Sequence, residues 1–164
     1  MNEKPRSRDS FIINRAMSWR IIGVGGVFFL FLICLVWIFE HSTVNSISDL
    51  LHVQIGAKNG LSSYELSLFF TIFVMLQFWN MFNARAFDTG ASAFHFKDCG
   101  GFVVIAVIIL AGQILIINVG TEFFNVVPIS FADWIVIIFG TSIVLWIGEI
   151  ARFMGNKAGS HATI

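Results

Sequence analysis

The chain has 164 residues, 57% hydrophobic and only 12% charged, with mean hydropathy +0.83. A soluble domain carries about 25% charge, so this composition excludes an ordinary globular fold and specifies an integral membrane protein. Formal net charge is zero, and no basic, aromatic-interleaved segment is present, which excludes nucleic acid as a partner.

In chain order, residues 1–16 carry Lys4, Arg6, Arg8 and Arg15 ahead of a long apolar run. That run is too long for a signal-peptide core and no small-residue cleavage site follows it. It reads as a first transmembrane helix, about Met17–Phe39. A bilayer core needs about 20 apolar residues per helix. Three further windows qualify: about Tyr64–Phe82, Gly101–Val119 and Phe131–Phe153. The fold class is therefore all-α, a membrane bundle of four transmembrane helices, with no soluble domain between them. The connection Glu40–Ser63 contains NSISDLLHVQIG, a candidate short amphipathic helix at the membrane surface. The connection Asn83–Gly100 is polar, with Arg85, Asp88, Lys97 and Asp98. The connection Gly120–Ser130 is short and contains Pro128; Asp133, three residues after Ser130, marks a helix start near Ser130. Cys34 and Cys99 fall on different helices and read as small apolar residues.

Orientation follows from the basic residues. Lys4, Arg6, Arg8, Arg15 and Arg20 flank the first span, Arg85 and Lys97 lie in the second connection, and Arg152 and Lys157 flank the last span. Only Lys58 lies elsewhere. Both termini and the middle connection are expected in the cytoplasm, which requires an even number of spans. Trp19, Trp37 and Trp134 sit near span ends as interfacial anchors do. Trp79 and Trp146 lie deeper and read as lipid or packing contacts.

Polar residues inside the spans carry the functional signal. Gln77, Asn80 and Asn83 stand three apart, so each steps back about 60° around the helix. They form a slanted stripe. An amide can offer its carbonyl oxygen to a hard cation; interhelical hydrogen bonding, about 1 kcal/mol each, is the commoner use. Asn83 and Arg85 lie close to the interface. Glu149 is the one acid deep in the fourth window. It stands three residues before Arg152, and the two are expected to pair on one helix face. Gln113 reads as a packing amide. Gly23, Gly25 and Gly26 in the first window, and Gly140 and Gly148 in the fourth, suit close helix approach. The histidines His41, His52, His95 and His161 are scattered without metal-type spacing, and no H-E-x-x-H, G-x-S-x-G or Walker string is present.

The stretch FTIFVMLQFWNMFNAR, Phe70 to Arg85, resembles the eighth membrane helix of plasma-membrane-type P-type calcium pumps. The family's pattern there is F-x-x-F-V-x-x-Q-x-x-N-x-x-N-A-R, and Gln77, Asn80, Asn83, Ala84 and Arg85 stand in it. KPRSRDSFIINRAM, Lys4 to Met17, looks like the cytoplasmic link between the sixth and seventh helices, with Lys4-Pro5, Ile12-Ile13 and Met17 at the matching places. DWIVIIFGTSIVLWIGEIARF is similar, more loosely, to the tenth helix, including a Gly-x-Glu-like end at Gly148–Glu149. The resemblance covers nearly the whole chain as the family's seventh to tenth helices.

The resemblance implies a part in ATP-driven export of calcium from the cytoplasm across the cell membrane, as a multi-pass module. In relatives with two calcium sites the position matching Gln77 is an acid that binds one ion. A glutamine there implies the one-site kind, with Gln77 as a weak or outer-layer calcium-site residue. Asn80, Asn83, Arg85, Glu149 and Arg152 are expected in structural polar roles. The family's D-K-T-G, T-G-E, P-E-G-L and N-x-x-x-D strings are absent. No ATP hydrolysis is therefore expected from these residues alone. Calcium and ATP with magnesium would be handled by the missing catalytic and transport-helix portion of the pump, which is the expected partner beside the lipid bilayer. A fragment, a split reading frame and a separate subunit all fit. An autonomous four-span scaffold, a regulatory subunit or an oligomeric channel is the alternative, and a channel would require a charged path.

Overall fold

The computed structural model of the chain describes residues 15–58, 60–86, 92–94 and 99–161. Lys4, Arg6, Arg8, Asp88, His95, Lys97 and Asp98, with most of the Lys4–Met17 link, lie outside the described residues. Helix α1 runs Arg15–His41, α2 Ser63–Ala86, α3 Gly100–Val119, α4 Thr121–Phe124, α5 Phe131–Thr141 and α6 Ile143–His161. Among the described residues there is no strand. Four segments are long and apolar enough to cross a membrane: Ile21–His41, Ser63–Ala86, Gly100–Val119 and Phe131–Met154.

Each span can form because its backbone hydrogen bonds close within the helix, the one economical answer in hydrocarbon. The ends are closed by side chains. At the end of α1, Ser42 Oγ donates to Ile38 O (2.7 Å), His41 Nδ1 donates to Trp37 O (2.8 Å), and Lys58 Nζ donates to Phe39 O (3.0 Å) and Ser42 O (3.2 Å). These serve the last carbonyls, which have no partner further along the helix. At the start of α2, Ser62 and Glu65 form a reciprocal cap. Glu65 N donates to Ser62 Oγ (3.2 Å) and Ser62 N donates to Glu65 Oε2 (2.8 Å), the S-x-x-E arrangement that satisfies two orphan donors. At α5, Asp133 N donates to Ser130 Oγ (3.1 Å), as the sequence placed the helix start.

The fourth span is two helices. Thr141 Oγ1 donates to Ile137 O (2.6 Å) and Ser142 Oγ donates to Phe139 O (2.6 Å). Such back-bonding by Ser and Thr competes with the regular ladder and bends helices. The break falls there, between α5 and α6.

Helix α2 is the hub. Half of its span is buried inside the bundle, against 11%, 17% and 17% of the other three. It packs on α1, α3, α5 and α6. Its buried apolar residues include Leu68, Ile72, Met75, Leu76, Phe78 and Phe82, and Phe82 meets the Phe102 ring edge-on at 4.9 Å. The broad outward faces of α1, α3 and α5, such as Phe29, Ile108 and Phe139, are left exposed, as a lipid-facing surface is.

The connection after α1 departs from the amphipathic helix expected of it. It makes one five-residue 3-10 turn, Ile47–Leu51, and residues 52–58 form no regular element. The cause is local. Asp49 Oδ2 accepts from Asn45 N (2.8 Å) and Ser46 N (3.0 Å), which caps a single tight turn. The five following residues include two β-branched ones, Val53 and Ile55, which do not favour a helix. The glycines Gly23, Gly25, Gly26 and Gly140 also depart from expectation: a Cβ at any of them would meet nothing within 4 Å. Among the described residues no other helix approaches there. Gly148 does make a close approach, to the Asn83 side chain.

Candidate functional site

The polar side chains inside the bundle sort into three levels along α2. At the Ser63 end, the connections 42–62 and 120–130 meet. The Lys58 ammonium donates to both carboxylate oxygens of Glu65. The Glu65 side chain is fully buried and that of Lys58 is 18% exposed. Glu65 also accepts from Val44 N (2.9 Å). Asp133 forms a second node. Its carboxylate accepts from Ile47 N (3.0 Å), from Ser130 Oγ (2.6 Å) and from the Tyr64 hydroxyl. Ser67 Oγ donates to Val127 O and accepts from Val127 N, both at 2.7 Å. Two buried carboxylates thus fasten α1, the 3-10 turn, α2 and α5 at one end. A buried carboxylate is tolerated when a cation or several hydrogen-bond donors replace its water: Glu65 has the Lys58 cation and two backbone N–H groups, and Asp133 has three donors, one backbone N–H and two hydroxyls.

At mid-span the cross-links are neutral. Gln113 Nε2 of α3 donates to Thr71 Oγ1 of α2 (3.1 Å), both side chains buried. Trp79 Nε1 of α2 donates to Ile138 O and Thr141 Oγ1, both at 3.1 Å. The indole therefore bonds to the break in the fourth span. Sequence reading gave Trp79 to lipid or packing; the break it serves is not visible as a periodicity.

At the Ala86 end a third lock forms. Asn83 Nδ2 donates to Val144 O (2.8 Å), and Arg152 donates to Asn83 Oδ1 (3.1 Å) and to Glu149 Oε1 (3.0 Å). Glu149 Oε1 also accepts from Ser92 Oγ (3.0 Å) and Ala93 N (2.5 Å). The Glu149–Arg152 pair expected from its spacing is present, and it does more than pair. It anchors the connection after α2 to α6. The Arg85 guanidinium lies 4.9 Å over the Phe102 ring.

Gln77 belongs to none of these locks. It is exposed, on a stripe of α2 with Phe70, Phe73 and Ala84. At 100° per residue these four fall within about 60° of arc. Gln77 lies fourteen residues along α2, ~21 Å from its Ser63 end, well inside the apolar layer. Asn80, half-buried, flanks the stripe. Of the three amides singled out in the sequence, the bundle uses Asn83 to join two helices and turns Gln77 outward.

Sequence reasoning missed Lys58, Tyr64, Glu65, Thr71 and Thr141. Two signals were present. Ser62-Ser63-Tyr64-Glu65 carries the capping pattern, and Lys58 is the one basic residue away from the three basic flanks.

Four apolar spans with buried polar cross-links define a multi-pass helical membrane module. The chain belongs to the cation-transporting ATPase C-terminal family: the family model described as "Cation transporting ATPase, C-terminus" matches residues 1–154. It is 28% identical over 159 residues to the plasma membrane calcium-transporting ATPase mca-1 of Caenorhabditis elegans, a match covering 96% of this chain and 12% of that protein. It is 27% identical over 154 residues to calcium-transporting ATPase 2 of Cryptococcus neoformans var. grubii, covering 93% of this chain and 10% of that one. The chain therefore spans about a tenth of the length of these relatives.

Proposed function

We propose that this chain is the C-terminal transmembrane module of a calcium-translocating P-type ATPase, both of its ends cytoplasmic, which supports the transport helices during ATP-driven calcium export. The observation that carries the reading is the match itself: nearly the whole chain aligns with two proteins named as calcium-transporting ATPases. The module supplies rigidity. Carboxylate locks at one end, the Asn83–Arg152–Glu149 lock at the other and α2 between them make a frame against which other helices can move.

Gln77 gives the frame its contact with the rest of the pump. An uncapped amide facing hydrocarbon costs about 1–3 kcal/mol, so the Phe70–Gln77–Ala84 stripe is best covered by protein. Gln77 would then stand beside the ion path as a neutral neighbour or weak ligand of calcium. Phosphorylation from ATP with magnesium belongs to the remainder of the pump. The basic flanks support the orientation, since nine of the ten Lys and Arg residues fall at the ends and in the middle connection.

The test is a transplant. Residues 1–164 replace the matching segment of the Caenorhabditis elegans pump, and calcium uptake is measured in inside-out vesicles. The reading expects ATP-dependent uptake with this module, loss with an unrelated four-span segment, and reduced uptake with Gln77→Leu at unchanged protein level. Calcium-dependent ATP hydrolysis by purified residues 1–164 alone would sink the reading, as would uptake indifferent to the identity of the transplanted segment.

A further inference from the structure

We propose that the end of the bundle where connections 42–62 and 120–130 meet carries a lipid anchor, in which Leu51, Ile55 and Phe123 insert into the boundary between headgroups and acyl chains. These side chains are 81%, 66% and 87% exposed, with Val53 at 36% between the first two. They lie outside the four spans, in connections that would face water if they stood away from the membrane.

The connections do not stand away. Gly56 N donates to the carbonyl of His41, the last residue of α1 (2.7 Å). Lys58 reaches back to Phe39 O and Ser42 O. At the other end of the stretch, Ile47 is buried and its N–H is held by Asp133 in the first turn of α5. Residues 47–58 are thus tied down to helix ends at both sides. The second connection is tied likewise: Ser63 Oγ donates to Asn125 Oδ1 (3.0 Å), at the first turn of α2. Ile55 precedes the tethered Gly56, and Phe123 stands two residues before Asn125. One residue of extended chain covers at most about 3.6 Å. The headgroup layer beyond the hydrocarbon is about 5–8 Å deep on each side. Ile55 and Phe123 are therefore held within about that distance of a helix end, and Leu51 closes the 3-10 turn whose first residue, Ile47, is tied to α5.

The chemistry selects the lipid. Residues 51–57, LHVQIGA, contain no acid, lysine or arginine. His52 is their one titratable side chain, and the exposed acid Glu122 adjoins Phe123, so no lysine or arginine draws the anchor to an anionic headgroup. Binding by apolar area, without electrostatic attraction to anionic lipid, is the expected mode. Asp49 and Lys58, the charges that flank the segment, are both turned to bonds within the protein.

The experiment uses the full chain with Cys34 and Cys99 replaced by alanine, reconstituted in phosphatidylcholine vesicles. A nitroxide is placed at Leu51→Cys, Ile55→Cys or Phe123→Cys. Phe29→Cys, exposed within the first span, is the lipid reference. Collision with dissolved oxygen is compared with collision with a water-soluble nickel complex. Oxygen should relax the three test labels several-fold more than nickel does, in the same order as at 29. Adding an anionic lipid should not strengthen the preference for oxygen. Nickel-dominated relaxation at 51 and 55 would place them in water and overturn the proposal. Exclusion of both reagents would mean a protein covers them, which overturns it equally.

Discussion

Replacing Gly148 by alanine tests the Ala86-end lock most sharply. A Cβ at this position would lie 2.2 Å from Asn83 Oδ1, 2.5 Å from its Cγ and 2.7 Å from its Nδ2. The Asn83 amide must rotate away. It then loses its bond to Val144 O and the one it accepts from Arg152. Interhelical bonds in membranes average about 0.6 kcal/mol and reach about 1.7; one to a charged group is worth about 1.5–3 kcal/mol in water-soluble proteins. Against this stands up to about 1 kcal/mol gained by replacing glycine within a helix. The net expectation is a loss of about 1–4 kcal/mol, read by reversible SDS unfolding in mixed micelles. Gly140→Ala is the control, since nothing lies within 4 Å of its Cβ, and it should be neutral or stabilising. In an Asn83→Ala background the obstacle is gone, and Gly148→Ala should cost nothing. If Gly148→Ala matches Gly140→Ala, or costs the same with Asn83 truncated, the steric account of this lock is wrong.

Other expectations follow from the same bonds. Lys58→Met leaves the buried Glu65 carboxylate without its cation and should destabilise the chain by about 3–5 kcal/mol, whereas Lys58→Met with Glu65→Leu should recover most of that loss in the same unfolding assay. Trp79→Phe removes the N–H shared by Ile138 O and Thr141 together with the five-membered half of the indole; if the hydroxyl is the main acceptor, the substitution should cost about 0.5–1.5 kcal/mol less beside Thr141→Val than in the native chain. Gln77→Leu should change the stability of this chain by less than about 0.5 kcal/mol, because its amide faces outward, so a large loss would disprove that orientation. The backbone N–H groups of Asn45 and Ser46 hold the Asp49 carboxyl below its ordinary value of 3.8. A depressed folded value stabilises the capped turn above that ordinary value and loses the effect as pH falls through the lower folded one. Amide-exchange protection at Asn45 and Ser46 should therefore hold at neutral pH and fall in strong acid, and Asp49→Asn should be low at both.

Much of this architecture is written locally. A span is set by its own apolar length, because its backbone must satisfy itself within one helix. Four such lengths were countable, and the string from Phe70 to Arg85 carried the family resemblance. Pairs within a turn were also readable: Glu149 with Arg152 and Ser130 with Asp133 needed only helical geometry. The α5–α6 break was not, since Thr141 and Ser142 occur in many unbroken helices.

What the sequence by itself determined is the solvent, the number of spans, their basic flanks and the kinship with cation-transporting ATPases, for each of these depends on composition or on residues in a continuous run. Only the tertiary structure decided what each polar group does. Gln77 and Asn83 are the same chemical group, six residues apart on one helix, and their positions around it differ by about 120°. That rotation points Asn83 at α6, where Val144 and Arg152 wait, and Gln77 out of the bundle. Lys58 finds Glu65, and Asp133 finds Tyr64 and Ile47, because packing brings together helix ends that the chain separates by up to 86 residues. Apolar burial in lipid supplies no direction between helices, so these few polar bonds fix which faces meet.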